Sequence, residues 1–133
     1  MSGQRLRILI CEDDERLATL VTDTLVADGR FDVIARATNG DEAIRLAEEH
    51  QPDAAILDVG MPGGGGVRAV REIAQKSPKT SMIALSGYDD RNTVLEMLEA
   101  GATAYLVKGA SREEILRTLK KSMEAHEKLA ELG

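Results

Sequence analysis

The chain has 133 residues, 43% of them hydrophobic, which is enough to bury the core of one domain without disulfides or a structural metal. Its net charge of −6, with only two Tyr and one Phe, argues against direct nucleic-acid binding, which needs basic residues and stacking aromatic side chains. The sequence contains no apolar run of about 18 residues and no signal-type segment, so we expect no membrane association and a cytoplasmic location. The single cysteine, Cys11, is expected to be a buried core residue.

Short runs rich in Val, Ile and Leu alternate with longer segments of helical period, a pattern typical of βα units around a parallel sheet. Nearly continuous apolar runs predict central strands, covered on both faces, at 6–11, 53–58, 81–86 and 103–107. In residues 31–37, apolar and polar side chains alternate more, which indicates an edge strand. The apolar positions of this edge strand would share one side of the sheet: Phe31, Val33, Ala35 and Ala37.

Helical periodicity predicts a helix after each of the five strands. The first predicted helix covers about 14–28, and the second follows the Asn39-Gly40-Asp41 turn. The third ends before Pro78, and the fourth covers about 94–100. The fifth runs from Ser111 to 132. Either Asp13 or Asp14 can cap the first helix, and Ser111 with Glu114 has the capping-box spacing. Four glycines at 63–66 predict a flexible loop that opens the third helix.

Three of the predicted strands end in residues with complementary chemistry. The first leads into Glu12, Asp13 and Asp14, the third ends at Asp58, and the fifth leads into Lys108. Ligand and catalytic sites of open α/β sheets lie at the carboxyl ends of the strands. Taken singly, each residue is more often a cap, a turn or a solvated charge than part of a site. Their conjunction is what predicts a functional site at this edge.

Over residues 6–125 the chain resembles the receiver domain of bacterial two-component response regulators. The matching features are Glu12 with Asp13, the LDVGMP motif around Asp58, Ser86 followed by Gly87, and Tyr105 with Lys108. The resemblance implies an α/β, flavodoxin-like (βα)5 fold with a doubly wound parallel five-stranded sheet. The strand order 2-1-3-4-5 is inherited from the family. Residues 1–5 would then be an N-terminal tail, and 126–133 a helix extension or linker stub.

In that strand order the first and third strands are neighbours, so their terminal carboxylates converge and repel one another unless a cation neutralises them. A hard divalent cation with oxygen ligands suits such a site. By resemblance, Asp13 and Asp58 bind Mg²⁺ directly, with Mn²⁺ as an alternative. The backbone carbonyl of Gly60 would add a third ligand, and Glu12 would act through a metal-bound water.

The same resemblance makes Asp58 the phosphoacceptor, a role known for carboxylates in covalent catalysis. Lys108 would neutralise charge on the transferred group. Ser86 would donate a hydrogen bond to the new phosphoryl oxygen, and the ring of Tyr105 would enter the space that this movement opens. The surface of the fourth helix, fifth strand and fifth helix would change in consequence.

Two departures from the family pattern affect the local geometry: the four glycines at 63–66 that follow the Met-Pro of the motif, and the residue after Lys108. Gly109 follows Lys108 where many receivers have proline, and because a non-proline cis peptide costs about 3 to 4 kcal/mol, we expect this bond to be trans. Gly60 and Gly87 leave little side chain over the site, so donor and hydrolytic water should have ready access. Tyr88 is a candidate for a partial shield.

The resemblance implies Mg²⁺-dependent phosphoryl transfer from a histidine kinase or phosphotransfer protein, with catalysis confined to the chain's own phosphorylation and dephosphorylation. A homodimer through the switching surface and a C-terminal output domain are further expected partners. One alternative is a receiver-like binding module that works without phosphorylation. Another is a phosphatase of the haloacid-dehalogenase type, although its second Asp would stand at position 60, which is Gly60 here.

Overall fold

The computed structural model describes residues 4–87 and 90–132, in which five strands alternate with five helices. The strands are β1 (Leu6–Cys11), β2 (Phe31–Ala37), β3 (Ala54–Asp58), β4 (Ser81–Ser86) and β5 (Ala104–Val107). The helices are α1 (Glu15–Asp28), α2 (Gly40–His50), α3 (Gly65–Lys76), α4 (Arg91–Ala100) and α5 (Arg112–Leu132). The predicted alternation is therefore confirmed.

All neighbouring strands pair in parallel, in the order β2-β1-β3-β4-β5, which confirms the flavodoxin-like α/β fold. One buried cluster joins the sheet to α1 and α5, and a second joins it to α2, α3 and α4. Both faces of the sheet are thus covered, as a parallel sheet requires. None of the helices in the described part of the chain is long and apolar enough to cross a membrane.

The strand order places β5 at an edge, so the prediction of a central strand at 103–107 was wrong. The run is short and apolar, but among the described residues it pairs with β4 alone, and Tyr105 within it is 54% exposed. Apolar content alone does not distinguish an edge strand that is covered by helices from a central one. The edge position predicted for residues 31–37 is confirmed, because β2 lies at the end of the described sheet beside β1.

The predicted common face of β2 was also wrong. The register with β1 shifts between Ile8 and Leu9, which pair with Val33 and Ala35, so Ile34 is an extra residue. Such a bulge reverses the side-chain alternation. Phe31 and Val33 therefore pack in the cluster beside α1 and α5, whereas Ala35 and Ala37 pack in the cluster on the opposite face.

Helix ends follow the sequence signals closely. Asp14 caps α1 by accepting hydrogen bonds from the backbone N–H groups of Arg16 and Leu17, and Gly29 ends the helix in the left-handed conformation. The four-glycine segment is shorter as a loop than predicted, because Gly65 and Gly66 already belong to α3. Pro62, the residue before this segment, is tied to α2 by a 2.7 Å hydrogen bond from Gly40 N–H to its carbonyl.

Helix α5 continues to Leu132, as the apolar periodicity predicted. Two contacts anchor its second half to the rest of the domain. The hydroxyls of Thr103 and Ser122 lie 2.6 Å apart, and His126 Nε2 lies 2.8 Å from the carbonyl oxygen of Pro78. Residues beyond 125 are therefore a packed continuation of the helix at least as far as His126.

Candidate functional site

The candidate site lies at the carboxyl edge of the sheet, where parallel strands deliver their last residues to one place. Glu12 follows β1, and its N–H donates to the Ala37 carbonyl at 3.0 Å. Asp58 is the last residue of β3. Lys108 follows β5, with its N–H 2.7 Å from the carbonyl oxygen of Ser86.

The predicted acidic residues come together. Carboxylate oxygens of Glu12, Asp13 and Asp58 all lie within 4.8 Å of one another. Glu12 is 1% exposed and Asp58 is 3% exposed, whereas Asp13 is at the surface. Two buried carboxylates at this separation repel each other strongly unless positive charge is close by.

Lys108 supplies that positive charge. Its Nζ lies 3.0 Å from Asp58 Oδ1 and 3.7 Å from Glu12 Oε1. Burial by itself lowers the pKa of the Lys108 ammonium, but the hydrogen bond to Asp58 and the charges of Asp58, Glu12 and Asp13 outweigh it and hold this pKa above its ordinary value. The lysine is therefore a permanent cation at neutral pH.

Glu12 is only partly satisfied. Its Oε2 accepts a 2.9 Å hydrogen bond from Asp14 N–H, but its buried Oε1 has no hydrogen-bond partner among the described residues. Burial raises the pKa of Glu12, the Asp14 N–H opposes this shift, and the charge of Asp58 reinforces it. An orphaned carboxylate oxygen beside two further acids suits a hard divalent cation, so the residues present fit Mg²⁺.

Gly60 lies two residues beyond Asp58 at the same edge, and its N–H donates to Asp58 Oδ1 at 3.3 Å. A methyl group on its α-carbon would meet no atom within 4 Å, so the space above this residue is open. The Lys108-Gly109 peptide is trans, since the described residues contain no cis peptide bond, which confirms the expectation.

Ser86 ends β4 and is 3% exposed, and its hydroxyl donates a long, 3.5 Å hydrogen bond to the Leu106 carbonyl. Tyr105 is exposed on β5. Between them lies a cleft of about 400 Å³, which is also lined by Gly87 and by Arg91 and Leu95 of α4. The ring of Tyr105 therefore lines an open cleft beside Ser86. Tyr88 lies outside the described residues.

Arg36 also reaches the site, although no sequence pattern predicts it. This side chain comes from β2 and donates from Nε to the carbonyl of Glu12 at 3.0 Å and from Nη2 to the carbonyl of Asp13 at 3.2 Å. Two arginine–carbonyl contacts across 24 and 23 residues have no local sequence signal. Only the register of β2 beside β1, which pairs Arg36 with Ile10, brings them together.

Comparisons with known proteins agree with the observed fold. Residues 8–120 match the family model of the response regulator receiver domain. The chain is 32% identical over 117 residues to the chemotaxis protein CheY of Bacillus subtilis (strain 168), covering 88% of this chain and 97% of CheY. It is 30% identical over 120 residues to the transcriptional regulatory protein DegU of Brevibacillus brevis, covering 90% of this chain but 51% of DegU, so it spans about half of that relative.

Among solved structures, the fold is similar to the signal receiver domain of NarL from Mycobacterium tuberculosis, with a TM-score of 0.86 and 26% sequence identity over 92% of this chain and 98% of the other. The family match covers far more than half of the 133 residues. The chain therefore belongs to the family of two-component response regulator receiver domains.

Proposed function

We propose that Asp58 accepts a phosphoryl group from the phosphohistidine of a histidine kinase or phosphotransfer protein. The observation that carries this proposal is the contact between Asp58 and Lys108, beside a Glu12 oxygen that accepts no hydrogen bond from the described residues. An acid held at the open edge of the sheet, with a cation within 3.0 Å, is a suitable acceptor for a group that carries negative charge.

In the proposed transfer, a carboxylate oxygen of Asp58 attacks phosphorus while the bond from phosphorus to the donor's imidazole nitrogen breaks. The electron pair of that bond stays on the nitrogen. Lys108 exchanges part of its contact with Asp58 for the oxygens of the arriving group, and its side chain, 37% exposed, is accessible to them. A compact ammonium suits this neutralisation of charge.

Mg²⁺ is the proposed cofactor, with Mn²⁺ as an alternative. Asp13, Asp58 and the Gly60 carbonyl would hold the ion, and Glu12 would contact it through a bound water. When bound, the ion neutralises the carboxylates and the oxygens of the transferred group. The chain's own part is to keep the oxygen ligands convergent and the nearby Lys108 protonated.

The proposed switch uses Ser86 and Tyr105. The Ser86 hydroxyl gives up its long bond to the Leu106 carbonyl, which costs little, and donates instead to a phosphoryl oxygen. The movement of its loop makes room in the adjoining cleft, which the ring of Tyr105 enters. The surface formed by α4, β5 and α5 then changes, and we propose it as the site of homodimerisation or output contact, because Leu95 and Tyr105 are exposed there.

Loss of the phosphoryl group is proposed to be slow hydrolysis at the chain's own site. Gly60 and Gly87 leave the approach to Asp58 open to water, and Tyr88 is proposed as a partial shield. The open space above Gly60 supports this access. In this proposal the chain catalyses only its own phosphorylation and dephosphorylation.

We propose residues 6–125 as the receiver domain, 1–5 as a tail and 126–133 as a helical extension toward a C-terminal output domain. The length of DegU, about twice the region that it shares with this chain, supports the last point. We place the protein in the cytoplasm, where histidine kinases present their phosphohistidine.

Intact-protein mass spectrometry after incubation with acetyl phosphate and Mg²⁺ tests the proposed function. One phosphoryl adduct is expected on the parent chain and none on Asp58→Asn or in EDTA. Asp53→Asn is the matched control, because Asp53 precedes the same strand at its opposite end, and it should keep the adduct. A folded parent that gains no adduct would instead support a phosphorylation-independent binding module.

A further inference from the structure

Arg36 is a half-buried side chain whose two hydrogen bonds both go to the backbone of the acidic loop. Its guanidinium reaches from β2 to the carbonyls of Glu12 and Asp13, at 3.0 and 3.2 Å. The planar fork of arginine can hold two acceptors in a fixed geometry, which an ammonium cannot do. The contact therefore fixes the path of the chain through two successive acidic residues.

The loop is also held from its other side. The Glu12 carboxylate accepts from Asp14 N–H at 2.9 Å, and Asp14 in turn caps α1. Asp13 stands between these attachments and is exposed, so packing of its side chain does little to orient it. The position of its carboxylate depends on the backbone that Arg36 holds through the Asp13 carbonyl.

We propose that Arg36 is a positioning residue for divalent-cation binding, which holds the backbone of Glu12 and Asp13 so that their carboxylates converge with that of Asp58. This inference rests on the proposed function. Groups that orient metal ligands from outside the coordination sphere commonly contribute about 10- to 100-fold to metal affinity.

The charge of Arg36 and its positioning role predict opposite effects. A nearby guanidinium repels a divalent cation, so removing its charge alone would strengthen binding of Mg²⁺. Loss of positioning would weaken it. The sign of the change in affinity therefore distinguishes the two roles.

Arg7 offers a matched control. It is a half-buried arginine on the neighbouring strand β1, and its Nη1 donates to the carbonyls of His50 and Gln51 at 2.7 and 3.2 Å. These contacts are of the same kind as those of Arg36 but lie at the amino edge of the sheet. Arg7→Met should lower stability much as Arg36→Met does, without reaching the acidic loop.

The test is isothermal titration of the full chain with MgCl₂, with urea unfolding in EDTA as the measure of stability. Arg36→Met is expected to weaken Mg²⁺ binding by about tenfold. Arg7→Met should bind within about twofold of the parent, since distant sites act independently. If Arg36→Met does not fold, Arg36→Lys, which keeps the charge but not the fork, should still bind several-fold more weakly than the parent.

Parent-like or tighter binding by the folded Arg36 variant would overturn the proposal, as would an equal loss in Arg7→Met. These outcomes differ from a failure of the proposed function itself. In that case the parent chain would neither bind Mg²⁺ nor gain a phosphoryl adduct from acetyl phosphate, and both proposals would be overturned together.

Discussion

The ammonium of Lys108 lies 3.0 Å from Asp58 Oδ1 and is the nearest cation to this buried carboxylate among the ion pairs of the described residues. The same ammonium lies 3.7 Å from Glu12 Oε1, so one positive charge serves two buried acids. The pair is therefore incompletely neutralised, and the remaining negative charge favours a divalent cation at this edge of the sheet.

Replacing Lys108 by Ala should slow phosphoryl uptake without abolishing it, because Asp58 remains as acceptor while the charge that stabilises the transferred oxygens is lost. Removal of one such stabilising group typically lowers a rate by about 100-fold. Time courses of adduct formation from acetyl phosphate measure the effect. Lys79→Ala removes the lysine that pairs with Asp53 at the opposite edge and should leave the rate unchanged. An unchanged rate in Lys108→Ala would contradict its role.

The burial of Glu12 should make the stability of the chain depend on pH. Burial raises the pKa of Glu12 in the folded chain above the value of 4.5 that it has when exposed. Between these two pKa values the folded chain binds more protons than the unfolded chain, so this group makes the free energy of unfolding fall as pH rises. In EDTA, the free energy of unfolding of Glu12→Gln relative to that of the parent should therefore increase from pH 4.5 upward. Urea unfolding across this range measures it, and a difference that shrinks with rising pH would refute the prediction.

Gly40→Ala, which adds one methyl group, should lower the free energy of unfolding. A β-carbon at this position would overlap the carbonyl oxygen of Gly63, in the loop that follows Asp58, and backbone atoms cannot easily withdraw. Overpacking of this kind costs about 1 to 3 kcal/mol. Gly60→Ala is the control, because a methyl group there meets no atom within 4 Å. Equal unfolding free energies for the two variants would contradict the prediction, because the loop would then have moved to accommodate the methyl group.

Ser86→Ala should separate phosphorylation from the switch. The variant loses only a long 3.5 Å hydrogen bond to Leu106, so we expect a folded chain that still gains the adduct. The Tyr105 ring resonances, which should shift on phosphorylation of the parent, should not shift in the variant. Ser86→Thr keeps the hydroxyl and should retain the shift. A full Tyr105 shift in Ser86→Ala would exclude the hydroxyl as the link.

Much of the fold is predictable from the sequence because its signals are local. Apolar runs and helical periods gave the βα alternation, and Asp14 and Gly29 marked the ends of α1. The errors concern long-range pairing. The bulge at Ile34 and the edge position of β5 depend on which strands are neighbours, and an apolar run looks the same in either position.

The candidate site was predictable to the same extent. Glu12, Asp58 and Lys108 each end or follow an apolar run, so the parallel sheet brings them to one edge. No local sequence pattern predicts the role of Arg36, because its partners lie 24 and 23 residues away in the loop that follows β1. The contact of Gly40 with Gly63 is likewise a product of packing between α2 and the loop before α3.

Locating the phosphoryl group shows directly whether Asp58 is the phosphoacceptor. Borohydride reduces an aspartyl phosphate to homoserine, so the phosphorylated chain can be trapped, digested and sequenced by tandem mass spectrometry. If Asp58 is the phosphoacceptor, homoserine should appear at position 58 of the parent, and none should appear when Mg²⁺ is removed before phosphorylation. Homoserine at any other aspartate, or a stable adduct that leaves Asp58 unmodified, would contradict this role.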